Sequence, residues 1–453
     1  MDVVVLSRIQ FALTSMFHYI YPPLSIGLGL MLIIVEGMYI KTKNPMYQTM
    51  AKFWSKIFAL TFALGVATGL VQLFGFGTNW ARYSRFVGDV FGSALGAEGV
   101  FAFFLESGFL GLMLFGWNRI SPRMHYFSTW MVALGAHFSA LWIVVANSWM
   151  QTPAGYKIVG EGINAKAVVT DFWKMIFNPS AIDRVVHVIL GCWLAGIFLY
   201  LSITAYYYLK KRHLVFAQQS MKIGLICAII TLFLQLGSAD STARGVAVNQ
   251  PAKLAAMEGV FVTQPYTALN LFGWVDTREQ KVIGVGVPGV LSFLTYRNFE
   301  QPIKGLDQIP KDEWPNVQAV FQSYHLMIAM WGLMFVITTS AIYYYFRKRL
   351  HNAKWVLYGL MFSVLCPQIA NQAGWVTAEM GRQPWVVQGL LRTYEGVSKG
   401  VSAHQVLGSI IMYLVIFCFL FCVFIYLLDQ KIKHGPETKE DEALVYKDRP
   451  YNK

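Results

Sequence analysis

Glu98 and Glu106 stand eight residues apart in a stretch, residues 98–115, that holds no other charged side chain. Eight helical residues turn through about 80°, so both carboxyls can line one side of a bundle. An acid in apolar surroundings can hold and pass a proton. With Ser107 beside it and Ser139 in the next apolar run, Glu106 is a candidate proton relay. Five histidines, His18, His137, His187, His325 and His404, lie in or at the ends of apolar runs. Ionisable groups there are costly and mark function by default. Ligation is the simplest use for such imidazoles, most directly of haem iron. Met327 follows His325 by two residues, about 200° around a helix, so only one of them can face a given site. His187 with Met327 would suit a low-spin iron. His137 and His404 read as structural. His125, His213, His351 and His434 fall in loops or the tail and take no role.

Two further stretches are dense in chemistry. In residues 374–385, Glu379 could ligate a high-spin iron, Arg382 could hold carboxylates bidentately, and Trp375 could stack between macrocycles. An interfacial aromatic belt would explain the tryptophans but not the Glu and Arg. In residues 250–258, Lys253 can donate to a carbonyl or phenolate oxygen and Glu258 can accept a proton. That pair suits oxidation of a quinol, although a Lys and a Glu on a short surface helix are commonplace.

These residues need long apolar elements to carry them, and the composition provides them. Of 453 residues, 56% are hydrophobic and 13% charged. Soluble domains average about 25% charged residues, so a water-soluble enzyme is excluded. The 33 Phe, 23 Tyr and 14 Trp exclude disorder. Unbroken apolar runs favour helices over a barrel. The five cysteines all lie in apolar runs without a CxxC pair, so neither a disulfide framework nor a cysteine metal site is expected.

The pattern predicts an all-α polytopic membrane protein with nine spans, near 12–40, 53–78, 92–117, 126–150, 185–209, 219–238, 318–346, 355–380 and 404–429. Pro22-Pro23 should kink the first, which lacks the basic start of a cleaved leader. Basic clusters at Lys41, Lys43, Lys52 and Lys56, at Arg119 and Arg123, at Lys210, Lys211 and Arg212, and at Arg347, Lys348, Arg349 and Lys354 alternate with less basic connections. They are therefore assigned to the cytoplasm, with the N-terminus outside and the C-terminus inside. The net charge of +13 then belongs to loops rather than to a nucleic-acid surface. On this plan His18, His187, Met327, Glu379 and Glu98 fall in the outer half of the bilayer, and Glu106 lies about 12 Å deeper than Glu98. The division expected is 1–237 for the first six spans, 238–317 for a folded extracytoplasmic quinol-binding loop, 318–430 for the last three spans and 431–453 for a cytoplasmic tail.

From Ser7-Arg8-Ile9-Gln10-Phe11-Ala12 to the end of the last span, the chain resembles subunit I of the cytochrome bd-type quinol oxidases. The matches are Phe76-Gly77-Thr78-Asn79-Trp80, Phe103-Phe104-Leu105-Glu106-Ser107, Lys253 to Glu258, and Gly381-Arg382-Gln383-Pro384-Trp385. The resemblance implies a terminal oxidase of a bacterial cytoplasmic membrane that oxidises quinol at the outer face and reduces dioxygen to water. It implies two haem b groups, one low-spin and one high-spin, and one haem d or a third haem b in its place. His187 and Met327 match the low-spin ligands, and His18 and Glu379 match the axial ligands of the other two haems, with Glu98 nearby. Which of the latter positions holds haem d is left open. Lys253 and Glu258 match the quinol residues, and Glu106 with Ser107 matches the inward proton route. A second large membrane subunit and a small single-span subunit are the implied partners. The outer loop is of the short form. Protons released outside and taken from the cytoplasm would generate a membrane potential without a pump.

Two other classes of protein make different demands on the sequence. A haem-free transporter using Glu98 and Glu106 as coupling acids should show an inverted repeat, and none is visible. A metal reductase needs histidine pairs in two stacked layers, and the inner side has no second layer.

Overall fold

The computed structural model describes residues 2–437. Helix α1 (Val3–His18) starts on the Asp2 side chain, which accepts from the Val4 amide. It stops at Tyr19-Ile20, and α2 (Tyr21–Thr42) begins with Pro22-Pro23 in its first turn. Proline costs nothing there, because first-turn amides have no helical acceptor. The predicted kink is thus a break between two helices, and the first membrane segment runs Val3–Thr42 rather than from residue 12. Next come α3 (Pro45–Thr78), α4 (Ala81–Phe86), α5 (Gly88–Glu98), a π-turn (Gly99–Phe103), α6 (Phe104–Phe115) and α7 (Pro122–Gln151). A hairpin, β1 (Tyr156–Val159) and β2 (Lys166–Val169), and α8 (Phe172–Ile176) lead to α9 (Ala181–Lys210) and α10 (Leu214–Asn249). Then follow α11 (Pro251–Glu258), a second hairpin of β3 (Leu269–Asp276) and β4 (Lys281–Val287), and α12 (Val290–Tyr296). The chain finishes with α13 (Val317–Phe346), α14 (Lys354–Phe362), α15 (Leu365–Met380), β5 (Trp385–Val387), β6 (Leu391–Arg392), α16 (Thr393–Gly396) and α17 (Ala403–His434).

The fold is all-α, with strands confined to small hairpins. Among the described residues, seven helical segments are each long and apolar enough to cross a membrane. The predicted spans 92–117 and 355–380 are built in two pieces, α5–π-turn–α6 and α14–α15. The sixth span is longer than expected, since α10 continues to Asn249. Its polar last turns are served locally: Ser241 Oγ donates to Asp183 at 2.8 Å, and Arg244 pairs with Asp240. The chain thus leaves this helix at Asn249 rather than near 238. The tail beyond Glu437 lies outside the described residues.

Helix α9 is the most buried of the long helices. Glycines let α2 lie against it backbone to backbone: a Cβ on Gly27 would stand 2.4 Å from the Cys192 carbonyl oxygen, and one on Gly196 would stand 2.3 Å from the Gly27 carbonyl carbon. One turn further along α9, Tyr200 stacks on Trp54 of α3 at 4.4 Å. Helices α10 and α15 each pack on both α9 and α13, so the four enclose a space between α9 and α13.

Candidate functional site

Helix α15 sets the level of the site. Asn371 Nδ2 donates to the Gly191 carbonyl at 3.3 Å, one turn beyond His187 on α9. A Cβ on Gly374 would lie 3.0 Å from Met327 Sδ of α13. Trp375 meets Tyr19, the neighbour of His18, edge-on at 5.4 Å. Glu379 lies one turn further on. The candidate ligands from four helices therefore sit beside residues 371–379 of a single helix.

Each donor has a distinct setting. His18 Nδ1 lies 3.0 Å from Thr68 Oγ1, and a Cβ on Gly69 would be 3.2 Å from the ring's Cε1, so a bare backbone faces the imidazole. His187 is flanked by Gln235 Nε2, 3.1 Å from Nδ1, and by Ser238 Oγ at 3.4 Å. His325 is committed elsewhere: Nδ1 lies 2.8 Å from the Phe321 carbonyl and Nε2 2.8 Å from the Asn270 carbonyl. Of the two rivals on α13, Met327 is the one whose donor atom faces the enclosed space. His137 is also occupied, by the Ala133 carbonyl and Trp193 Nε1, and His404 is exposed at the start of α17.

Glu379 lies among cations. Arg382 Nη2 bonds to its Oε2, while Asn147 Nδ2 (3.0 Å) and Gln151 Nε2 (3.2 Å) donate to Oε1. Arg184 bonds to Asn147 Oδ1 and lies 5.9 Å over the Trp375 ring. Lys253 Nζ reaches the other end of the Gln151 amide and also Gln250 Oε1 at 2.5 Å. Three cations thus face one carboxylate, and Arg184 Nε, Arg382 Nε and Arg382 Nη1 are buried without a partner among the described residues. Buried charge without compensation is expensive. An anionic group of carboxylate geometry would satisfy these donors. With glycine-flattened surfaces beside His18 and Met327, this donor set fits haem groups bearing propionates.

Glu98 and Glu106 both lie along α7. Glu98 Oε1 accepts from Ser139 at 2.6 Å. Glu106 lies against Gly135, one turn away, where a Cβ would stand 2.5 Å from its Cγ. The predicted pairing of Glu106 with Ser139 is corrected: Ser139 serves Glu98, because the π-turn places Glu98 beside it. Ser107 lies on the exposed side of α6.

Helix α11 is not on the surface, as its sequence suggested. Lys253 and Glu258 are both buried, and they point different ways. Lys253 faces the Glu379 cluster, where burial and the nearby Arg184 and Arg382 hold its ammonium well below the usual lysine value. A cavity of about 110 Å³ opens beside it, bounded by Gln250, Arg382 and Trp385. Glu258 faces α13, where Tyr324 is its neighbour, and its carboxyl is pushed up to about 8 by burial, an effect the Tyr324 hydroxyl partly offsets. Its Oε2 is buried with no donor.

One cluster escaped the sequence reading. His125, assigned to a loop, is buried near the start of α7. Its Nδ1 lies 2.6 Å from Glu36 Oε1, and its Nε2 2.9 Å from the Met113 carbonyl. Thr129 donates to Glu36 Oε2 at 2.6 Å. The available signal was Glu36 itself, a lone acid in the apolar run of α2. Asn147, Gln151, Arg184 and Tyr324 were also missed, because nothing in their local sequence marks them.

Long apolar helices enclosing His, Met and Glu donors at one level describe a membrane-embedded redox protein. The family described as cytochrome bd terminal oxidase subunit I matches residues 6–436, and the chain belongs to it. The chain is 37% identical to the cytochrome bd ubiquinol oxidase subunit 1 of Bacillus subtilis, over 100% of this chain and 98% of that one. It is 32% identical to the cytochrome bd-II ubiquinol oxidase subunit 1 of Escherichia coli, over 97% and 98% respectively. Among solved structures, the bd oxidase from Geobacillus thermodenitrificans superposes with a TM-score of 0.89 at 29% identity, covering 96% of this chain and 99% of that one. The protein is thus a haem-containing membrane subunit of a terminal quinol oxidase, a quinol:oxygen oxidoreductase that works with other subunits.

Proposed function

We propose that this chain holds three haems through His187 with Met327, His18 and Glu379. The first pair serves a low-spin haem b. The His18 and Glu379 positions serve a high-spin haem b and either a haem d or a further haem b. The observation that carries the reading is the excess of buried, unpartnered Arg184 and Arg382 donors around Glu379. When bound, the haems supply iron that exchanges single electrons and binds dioxygen.

The chain's own residues do the rest. Glu258 Oε2 takes a proton from the quinol hydroxyl on the α13 side of α11 and releases it at the outer end, while Lys253 offers a donor to a quinol oxygen in the cavity on the other side of that helix. Trp375 fills the space between the His18 and Glu379 positions. Glu106 and Glu98 hold protons drawn from the cytoplasm, steadied by Ser139 and, on the exposed flank, Ser107. Charge separation without pumping follows from protons leaving one side and entering from the other. Residues 250–316 form the extracytoplasmic quinol segment between the membrane blocks 1–249 and 317–434. The setting is the bacterial cytoplasmic membrane, with a second large subunit and a small single-span one as partners.

The test is a dithionite-reduced minus air-oxidised spectrum of the purified complex. Haem b bands with a far-red band support a haem d oxidase, and haem b bands alone support the three-b version. A featureless spectrum from intact protein overturns the proposal.

A further inference from the structure

The hairpin β3–β4 carries an apolar face that nothing among the described residues covers. Trp274 stands opposite Ile283, Phe272 opposite Val285 and Leu269 opposite Val287. Directly opposed residues share a face, and the irregularity between Asn270 and Phe272 keeps Leu269 on that same face. Trp274 is 63% exposed and Phe272 62%. The other face packs on the protein: Val275 is buried, and Val282 closes on Gly259 just after α11.

The depth of the hairpin is fixed by α13. The Val275 amide donates to Gln318 Oε1 at 2.8 Å, Gln322 Nε2 donates to the Gly273 carbonyl at 2.7 Å, and His325 Nε2 lies 2.8 Å from the Asn270 carbonyl. The hairpin therefore runs alongside the first two turns of a membrane helix. Its charged turn (Asp276, Arg278, Glu279, Lys281) points beyond the helix start, and its open end descends. Helix α13 has 30 residues, about 45 Å at 1.5 Å each, against a hydrocarbon core of about 30 Å. Its first turns thus lie in the headgroup layer and the upper acyl chains. The hairpin's free backbone edges cannot enter hydrocarbon, which keeps it in that interfacial layer.

We propose that this face is a lipid-docking surface, seated on the outer-leaflet headgroups and upper acyl chains. Two features favour lipid over a protein partner. Helix α13, on which the hairpin rests, also exposes apolar side chains, Leu326 and Leu333, beyond its last hairpin contact at His325. The hairpin is also graded along its length, from a charged turn to an apolar open end, which matches a water-to-lipid gradient. Trp274 then has the interfacial place typical of tryptophan. The same hairpin holds α11: Asn270 Nδ2 donates to the Glu258 carbonyl at 2.7 Å. On the reading of Glu258 as a quinol contact, a membrane-dissolved quinol meets its oxidation site directly behind a lipid-embedded wall.

The test uses the assembled oxidase in lipid nanodiscs, with Cys418 and Cys422 changed to Ser. Nitroxide labels are placed at Ile283→Cys or Val285→Cys on the face, and at Arg278→Cys in the turn. Collision with membrane-dissolved oxygen is compared with collision with an aqueous nickel chelate, and normal oxygen uptake certifies the fold. The expected result is an oxygen-to-chelate ratio severalfold higher at positions 283 and 285 than at 278. Equal ratios would mean an aqueous surface, and exclusion of both reagents at 283 and 285 would mean a covering protein. Either result overturns the proposal. The quinol reading is tested separately by Glu258→Gln kinetics, so the two can fail independently.

Discussion

Replacing Tyr324 by Phe should move the pH dependence of quinol oxidation upward. Glu258 is buried, its Oε2 has no donor among the described residues, and the neighbouring Tyr324 hydroxyl is the group that favours its ionised form. A carboxyl with a pKa of about 8 is roughly one-tenth ionised at pH 7 and one-hundredth at pH 6. If the carboxylate takes the quinol proton, kcat/KM should climb about tenfold per pH unit below 8 and level off above it. A hydrogen bond to a charged group is worth about 1.5–3 kcal/mol, and one pH unit is about 1.4 kcal/mol. Tyr324→Phe should therefore raise the midpoint by about one to two pH units. The assay is oxygen uptake at limiting quinol from about pH 5.5 to 9.5, with Glu258→Gln as the variant that lacks the limb. A limb that persists in Glu258→Gln, or a midpoint that stays or falls in Tyr324→Phe, would refute the reasoning.

Other outcomes follow from the same geometry. Glu106→Gln should slow oxygen uptake by about a hundredfold, the usual contribution of a positioned proton donor, with haem content unchanged; full turnover would remove Glu106 from the route. Gly374→Ala places a Cβ 3.0 Å from Met327 Sδ, so the low-spin haem band should weaken, as it should in Met327→Leu; an unaltered spectrum in both would exclude Met327 as a ligand. Glu36→Ala leaves His125 buried without its acid and should cost about 3–5 kcal/mol, seen as a lower thermal midpoint of the purified complex, whereas Glu36→Gln should lose less.

The membrane plan was legible because apolar runs and basic loops are long-range averages. Residues 318–346 and 404–429 matched α13 and α17 closely for that reason. The ends were less legible. Residues 238–249 look like a loop because they are polar, yet they stay helical because Asp183 on α9 satisfies Ser241. Tyr19-Ile20 breaks a helix that hydropathy joins. At the site, side-chain type and depth along the spans singled out His18, His187, Met327 and Glu379. What the sequence could not disclose was pairing between distant elements. His125 looks solvated beside Arg123 until Glu36, 89 residues earlier, comes within 2.6 Å of it. Gln151 is an ordinary glutamine until its two ends are seen to reach Lys253 and Glu379.

The π-turn at Gly99–Phe103 makes the spacing of the two buried acids a matter of phase as well as distance. A straight helix would leave Glu98 and Glu106 about 80° apart. A π-turn absorbs one extra residue, about 100° of rotation, and brings both carboxyls round to the same side of α7, at Ser139 and Gly135. Straightening the turn at its present length would swing Glu98 about 100° out of line, whereas deleting one residue from Gly99–Phe103 would restore ordinary helical hydrogen bonding and keep the phase, because seven helical residues turn through about 700°, some 20° short of two full turns. A one-codon loss there would therefore leave a well-folded helix with its two acids still in step, and only a second loss, a further turn of about 100°, would put them on different sides.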